Sequence, residues 1–363
     1  MAETQKVKKK FKVAVYAIAL NEEQFVERWY ESAKDADYVL LADTGSTDKT
    51  VEIAQKLGIN VIHIKVAPWR FDDARNAALA AVPADIDMCV TLDLDEIITP
   101  NWREPLEDMW RRGITRPKYR HIWSWTPEGN PGLEFAYDHI HSRNGYRWKH
   151  PVHETLVPYG VQEVREFTSA IETHHHADPT KSRAQYLPLL EMSVKEDPHS
   201  DRNSFYFARE LYFYNLYERA KEEFKRHLSI PTSTWAPERA TSMRYLAKVD
   251  PESSASWLLM AIKEAPGRRE ALVELSNHYY QEANWDGCYE YAKAALDIKE
   301  KPLDYLCEEF AWGALPWDLA AISAYNLKKY EEAVNYGKTA TDLAPSDLRL
   351  KTNLAYYLAA VAS

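Results

Sequence analysis

Cysteine is scarce in this 363-residue chain. Its three residues, Cys89, Cys288 and Cys307, are too few and too scattered for a disulfide framework or a cysteine-based zinc site. Long apolar runs are missing: no stretch reaches the roughly 20 residues that a membrane-spanning helix needs, so no membrane insertion is expected. The lysine-rich opening leads straight into a strand-like segment with no cleavage site, which predicts no signal peptide and a cytoplasmic protein. Glycine is thin, at 11 residues. Gly45 alone is a poor substitute for the phosphate-cradling loop a nucleotidyltransferase normally uses. A basic excess is also lacking: the formal net charge of −10 argues against general polyanion binding.

What the chain does have is length for two domains and many aromatics, 12 Trp and 23 Tyr. The first half alternates strand-like and helix-like segments. Residues 12–20, 38–42, 60–66 and 88–92 read as short buried strands, with helices near 48–57 and 71–82 between them. Asn21 offers an N-cap to the first helix, with Gln24 as its capping-box partner. Such repetition predicts a mostly parallel sheet covered on both faces. Ligands bind outside the carboxyl ends of strands in such sheets. Three polar clusters fall there: Asn21-Glu22, Asp43-Thr44-Gly45-Ser46-Thr47-Asp48 and Asp93-Leu94-Asp95-Glu96.

The last cluster carries the most chemistry. Side chains at i and i+2 of a strand share a face, so Asp93 and Asp95 are expected to point the same way. Two like charges that close repel unless something positive lies between them. Hard carboxylate oxygens at a strand end suit Mg²⁺ or Mn²⁺, which commonly share their ligands with phosphates.

Near residue 178 the pattern changes to amphipathic helices joined by short turns. Tyr217-Glu218-Arg219-Ala220, Pro251-Glu252-Ser253-Ser254 and Trp285-Asp286-Gly287-Cys288 start 34 residues apart, each with a small residue fourth. Tyr330-Glu331-Glu332-Ala333 follows 45 residues after the third. Thirty-four is the tetratricopeptide period, and the small residues let paired helices approach closely. The extra eleven residues are placed in 304–317. Residues 318–330 and 332–343 form a helix pair, and 351–361 a capping helix. A non-repetitive bundle is the alternative.

On Ala19-Leu20-Asn21-Glu22-Glu23, Asp43-Thr44-Gly45-Ser46-Thr47-Asp48-Lys49-Thr50, Ala74-Arg75-Asn76 and Leu92-Asp93-Leu94-Asp95-Glu96, in that order, the first half resembles the GT-A nucleotide-sugar glycosyltransferases of family 2. The resemblance is to the branch followed by tetratricopeptide-like helices. It implies an α/β, Rossmann-like GT-A catalytic domain over residues 1–180 and an all-α tetratricopeptide-like repeat domain over 181–363. It implies a UDP-sugar donor, UDP-glucose or a relative. Ala19, Asn21 and Glu22 would lie near the nucleoside, and Asp43 near the uracil or ribose. Thr44 stands where many members have Asp. Arg75 would neutralise the diphosphate, unless it pairs with Asp72 or Asp73. Asp93 and Leu94 would flank the donor, and Asp95 would ligate Mn²⁺ or Mg²⁺.

Histidines cluster at His150 and His153 and again at His174-His175-His176. If 171–176 is a strand, His174 and His176 share a face and His175 points away. His174 is the first choice for a metal ligand and His176 the second. An inverting transfer needs one base for the acceptor's proton; Glu154 is the choice, Asp138 stands behind it, and His153 would position the acceptor or orient Glu154. Basic residues crowd 111–149, interleaved with aromatics, and suggest an acceptor wall for a glycan, an acidic peptide or a nucleic acid. The Gln-x-x-Arg-Trp motif of processive relatives is absent, which favours a single transfer. The helical half could recruit a protein partner or form a homo-oligomer. The reading is therefore a metal-dependent inverting glycosyltransferase. The alternative is a tetratricopeptide adaptor whose degenerate catalytic half only binds ligand.

Overall fold

The computed structural model describes residues 10–126, 129–178, 181 and 184–362. The chain packs as two compact units, the first ending at Ser193 and the second starting at Val194. The sequence boundary at 180/181 adjoins residues outside the described set.

The first unit opens with β1 (Val13–Ala19), α1 (Val26–Ala33), β2 (Tyr38–Asp43), α2 (Thr50–Lys56), β3 (Asn60–His63), α3 (Phe71–Ala81) and β4 (Met88–Thr91). There follow β5 (Glu96–Ile98), α4 (Arg103–Arg111), β6 (Lys118–Ile122), β7 (Glu134–Tyr137), β8 (Ile140–Ser142), β9 (Tyr146–Lys149), β10 (Thr155–Pro158) and β11 (Phe167–His175). β1 is apolar along its whole length because both its faces are covered, as a central parallel strand requires. Val13, Val15, Ala17 and Ala19 enter one core with α1, α2 and α4. Ala14 and Tyr16 enter another, with α3.

The main sheet runs β3-β2-β1-β4-β8, parallel except for β8. Because the first four strands share one direction, Ala19, Asp43, His63 and Thr91 end along one edge. The chain reverses its order of strand addition between β1 and β4, the switch point at which such sheets leave a crevice. A second sheet runs β5-β11-β6-β7. Its β11 lies antiparallel to β5 with His175 opposite Glu96 and parallel to β6. That register carries the end of β11 to the acidic end of the main sheet. β9 and β10 form a separate ribbon.

Helix α5 (Tyr186–Glu196) spans the division between the units. The second unit is all helical: α6 (Asp201–Phe213), α7 (Tyr217–Ser229), α8 (Ala236–Val249), α9 (Ser254–Glu264), α10 (Arg269–Gln281), α11 (Trp285–Asp297), α12 (Leu315–Asn326), α13 (Tyr330–Leu343) and α14 (Leu348–Ala362). Successive helices pack as antiparallel hairpins, α6 with α7, α8 with α9, α10 with α11 and α12 with α13. The repeat starts read from the sequence, Tyr217, Trp285 and Tyr330, are each the first residue of a second hairpin helix, and Pro251 opens the short turn leading into α9. Ala220, Cys288 and Ala333 are fully buried, as close helix approach demands. The extra residues lie between α11 and α12.

Candidate functional site

At the end of β1 the backbone turns sharply. Asn21 has φ 55° and does not cap α1, which starts five residues later without a side-chain cap. Its Oδ1 accepts instead from the Thr47 N–H at 2.8 Å. The Asn21 N–H donates to Ser46 Oγ, the Glu22 N–H to Thr50 Oγ1 and the Glu23 N–H to Asp48 Oδ2. The first two polar clusters are thus zipped together, and Asn21 holds a loop.

Asp43 accepts from the Gly45 and Ser46 N–H groups and lies 3.1 Å from His63 Nδ1. Burial pushes its carboxyl up, but these hydrogen bonds outweigh it and hold the pKa below the ordinary value. Gly45 has φ 120°, which only glycine adopts easily. Both the N–H and the hydroxyl of Thr44 donate to the Ala19 carbonyl. Thr44 therefore braces two strand ends. His63, largely exposed beside Asp43, was missed in the sequence because nothing local marks it.

Asp93 and Asp95 do not share a strand face. β4 ends at Thr91, and residues 93–96 form a turn in which the Glu96 N–H donates to the Asp93 carbonyl at 2.9 Å. The turn sends the two carboxylates to different partners. Leu94 is buried in the core of the unit, so its side chain offers nothing to a donor. Asp93 accepts a bidentate pair from Arg75 Nη1 and Nη2, at 2.8 and 2.9 Å. Arg75 Nε donates to Glu154, and the guanidinium lies 5.2 Å from the Trp148 ring. Asn76, next in α3, fixes Trp148 by bonding both its backbone groups.

Arg75 is buried, and each of its three guanidinium nitrogens donates to Asp93 or Glu154, so it clamps these two carboxylates rather than standing open to a diphosphate. Asp72 pairs with Arg70 instead. The Asp93 side chain remains 35% exposed. Burial raises its pKa, yet Arg75 prevails and keeps it ionised. Glu96 goes the other way: burial and the charges of Asp93 and Asp95 lift it well above the carboxylate range.

The imidazole beside Asp95 is that of His175. Its Nε2 lies 3.6 Å from Asp95 Oδ2, while Nδ1 faces the Trp123 carbonyl at 3.0 Å and the ring stacks on Trp123 at 4.1 Å. Burial opposes the charged imidazole, but the contacts to Asp95 and the Trp123 carbonyl prevail and raise its pKa; a divalent ion at Nε2 would take the place of the proton shared with Asp95. His174 turns to Glu172 at 2.5 Å. His176 packs on Trp125, and its backbone N–H bonds the Asp95 carbonyl. Alternation along β11 was correctly anticipated, but the pairing with β5 decides which face meets Asp95. That long-range register leaves no local trace.

Two further groups border this corner. Glu22 is buried, paired through one oxygen with Lys181, and its Oε2 has no partner among the described residues. His121 is buried 3.8 Å from Glu96, and desolvation drops its pKa to about 3.

The candidate bases are both committed. Glu154 is bound to Arg75, and Asp138 to Arg116 and Arg165. His153, with φ 49°, stacks on Tyr186. Several cations of the basic segment 111–149 are likewise engaged by neighbouring elements, while Arg147 and Lys149 stay exposed. Arg116 is buried, Arg112 meets Asp108 and Glu166, Arg120 meets Glu134 and Glu172, and Arg143 donates to the Val82 carbonyl. Tyr119, Tyr146 and Trp148 are core; Trp123 stays exposed.

Among the described residues no three His, Cys, Asp or Glu side chains converge to cage an ion by themselves, and no helix is long and apolar enough to cross a membrane. Asp95 and His175 supply two donors. That fits an oxygen-preferring divalent ion which takes one or two protein ligands and fills the rest with phosphate and water.

Residues 15–116 match the family described as Glycosyl transferase family 2. An uncharacterized glycosyltransferase of Rickettsia bellii is 33% identical over 97 residues, 26% of this chain and 32% of its own length. The lipopolysaccharide core biosynthesis glycosyltransferase LpsC of Rhizobium meliloti is 26% identical over 239 residues, 58% of this chain and 82% of its own. A TPR repeat-containing protein of Synechococcus elongatus is 34% identical over 93 residues, 25% of this chain and 23% of its own. The chain thus spans about a third and about a quarter of the first and third relatives. The strand-end corner built on Asp43, Arg75, Asp93 and Asp95 lies wholly inside the matched segment, and the first unit carries a family 2 glycosyl transferase domain, followed by tetratricopeptide-like helices.

Proposed function

We propose that the protein moves a sugar, with inversion, from a UDP-sugar such as UDP-glucose to a glycan acceptor. The observation that carries this reading is the approach of His175 Nε2 to Asp95 at 3.6 Å, beside an Asp93 that Arg75 holds ionised at the sheet's switch point. Asp95 and His175 would hold Mn²⁺ or Mg²⁺, which when bound takes up the charge that grows on the departing diphosphate. Asp93, with its exposed edge, faces the donor and is oriented by Arg75. Glu154 shares that guanidinium and sets its angle. The zipped loops at Asn21 and Thr47 shape the nucleoside end of the crevice, with Asp43 and His63 at its rim. The glycan acceptor is supported by the likeness to LpsC, whose name places it in lipopolysaccharide core biosynthesis. The net charge of −10 speaks against a nucleic acid. Trp123, exposed beside His175, is a platform on which a sugar ring can stack.

The test is UDP-glucose hydrolysis, and thermal stabilisation by UDP, with and without Mn²⁺. Removing a group that stabilises leaving-group charge typically costs on the order of a hundredfold in rate. Asp95→Ala is expected to lose at least that much turnover and the Mn²⁺-dependent part of the thermal shift, while melting normally without ligand. Unchanged turnover in that variant would sink the metal assignment. Absence of any UDP response in the unaltered chain would leave the adaptor reading in its place.

A further inference from the structure

The rhythm of the second unit breaks once, between α11 and α12. The intervening residues contain only one short helical turn, Glu309–Ala311. Yet they are tightly held: Leu306, Cys307 and Ala311 are buried. Their polar groups meet the first helix of each preceding hairpin in turn. On α6, the Tyr206 ring stacks with Tyr305 at 6.1 Å. On α8, Glu238 accepts from the Tyr305 hydroxyl at 2.7 Å, and Arg244 donates to Glu308 at 2.8 Å. Just ahead of α10, Arg268 pairs with Asp304. On α10, Glu270 accepts from the Glu308 N–H at 3.1 Å and from the Trp312 indole at 3.3 Å. Arg269 lies 4.1 Å from the Trp312 ring.

Ala311, Phe310 and Trp312 join the apolar core of α10, α11 and α12, but the contacts made by Asp304, Tyr305 and Glu308 are polar and charge-matched. Arg244 is a buried cation that needs carboxylates around it; Glu274 of its own helical layer supplies one and Glu308 of the intervening segment the other. Two acidic side chains four residues apart, with an aromatic ring beside the first, enter two arginine sites and an aromatic platform.

We infer that the face formed by α6, α8 and α10 is a recognition surface for an extended acidic–aromatic segment, and that residues 299–314 of the same chain are its resident occupant. A partner segment of that chemistry has to displace them, so this face is closed to partners at rest.

A labelled peptide with the sequence of residues 299–314 tests this in the full chain. Tyr305→Ala combined with Glu308→Ala loosens the occupant and leaves the surface intact. The double variant is expected to bind the peptide at least about tenfold more tightly than the unaltered chain does. That binding should weaken between about 50 and about 300 mM salt, since charge pairs carry it. Equal binding by both chains overturns the inference, as does no binding by a double variant with an unchanged circular dichroism spectrum. Hydrogen exchange on the unaltered protein gives an arm that needs no variant. The amides of 304–312 should exchange about a hundredfold more slowly than those of an open loop, and loop-like exchange there overturns the assignment.

Discussion

Arg75 is the residue through which the corner is organised. A guanidinium can satisfy two carboxylates in one plane, which a lysine cannot. Here that capacity goes to Asp93 and Glu154, so in the proposed reaction its contribution would be orientation. The resemblance marked Arg75, Asp93 and Asp95 as belonging together; read without it, Arg75 would pair with Asp72 or Asp73. It could not say which atoms meet. The choice between His174, His175 and His176 depends on a register set some 80 residues away, and the engagement of Glu154 and Asp138 depends on arginines from other elements. Glu22 offers a residue-scale test. Burial lifts its carboxyl to about 7, with Asp93 and Asp95 adding to the rise and Lys181 opposing it. A folded-state value above the unfolded one means that this group's contribution is intact below about pH 4.5 and is lost as pH rises through about 7. The unaltered protein should therefore lose stability from pH 5 to pH 8 relative to Glu22→Gln, by about 3 kcal/mol at most. Melting curves of both proteins at the two pH values check it, and parallel slopes would refute it.

Elements were the most legible scale. Apolar strands followed by short helices appear where the alternation places them, and two of the three tetrads spaced 34 residues apart open a second hairpin helix, at Tyr217 and Trp285. The last pair, expected over 318–330 and 332–343, runs Leu315–Asn326 and Tyr330–Leu343. The links were harder to see. Asn215, Ala283 and Lys328, each two residues ahead of a second hairpin helix, adopt φ near 60°. Only the asparagine is a residue type that advertises such a turn. The N-cap expected at Asn21 failed for a related reason: its side chain found a tertiary partner before a local one. Close helix approach makes a sharp prediction at Gly337. A Cβ built there would stand 2.9 Å from the Tyr357 ring on α14. Gly337→Leu should gain helix propensity of about 1 kcal/mol yet be net destabilising, because overpacking typically costs about 1–3 kcal/mol and a leucine fills far more than a methyl group. A lowered Tm in thermal denaturation is the expected result; a raised one would show that α13 and α14 separate freely.

At the scale of the molecule, two units with their own hydrophobic cores should unfold as two events. Calorimetry of the full chain with UDP and Mn²⁺ at about 100 times Kd is expected to raise one transition by the equivalent of about 2.7 kcal/mol and leave the other in place. A single transition moving as a block would contradict that division. The late position of β11 has a consequence for biosynthesis. Chains emerge from the ribosome amino end first, and the strand that delivers His175 to the acidic turn is the last one made in its unit. A nascent polypeptide that already displays Asp93 and Asp95 therefore lacks the imidazole, and the proposed metal site can be completed only when translation has passed the final strand.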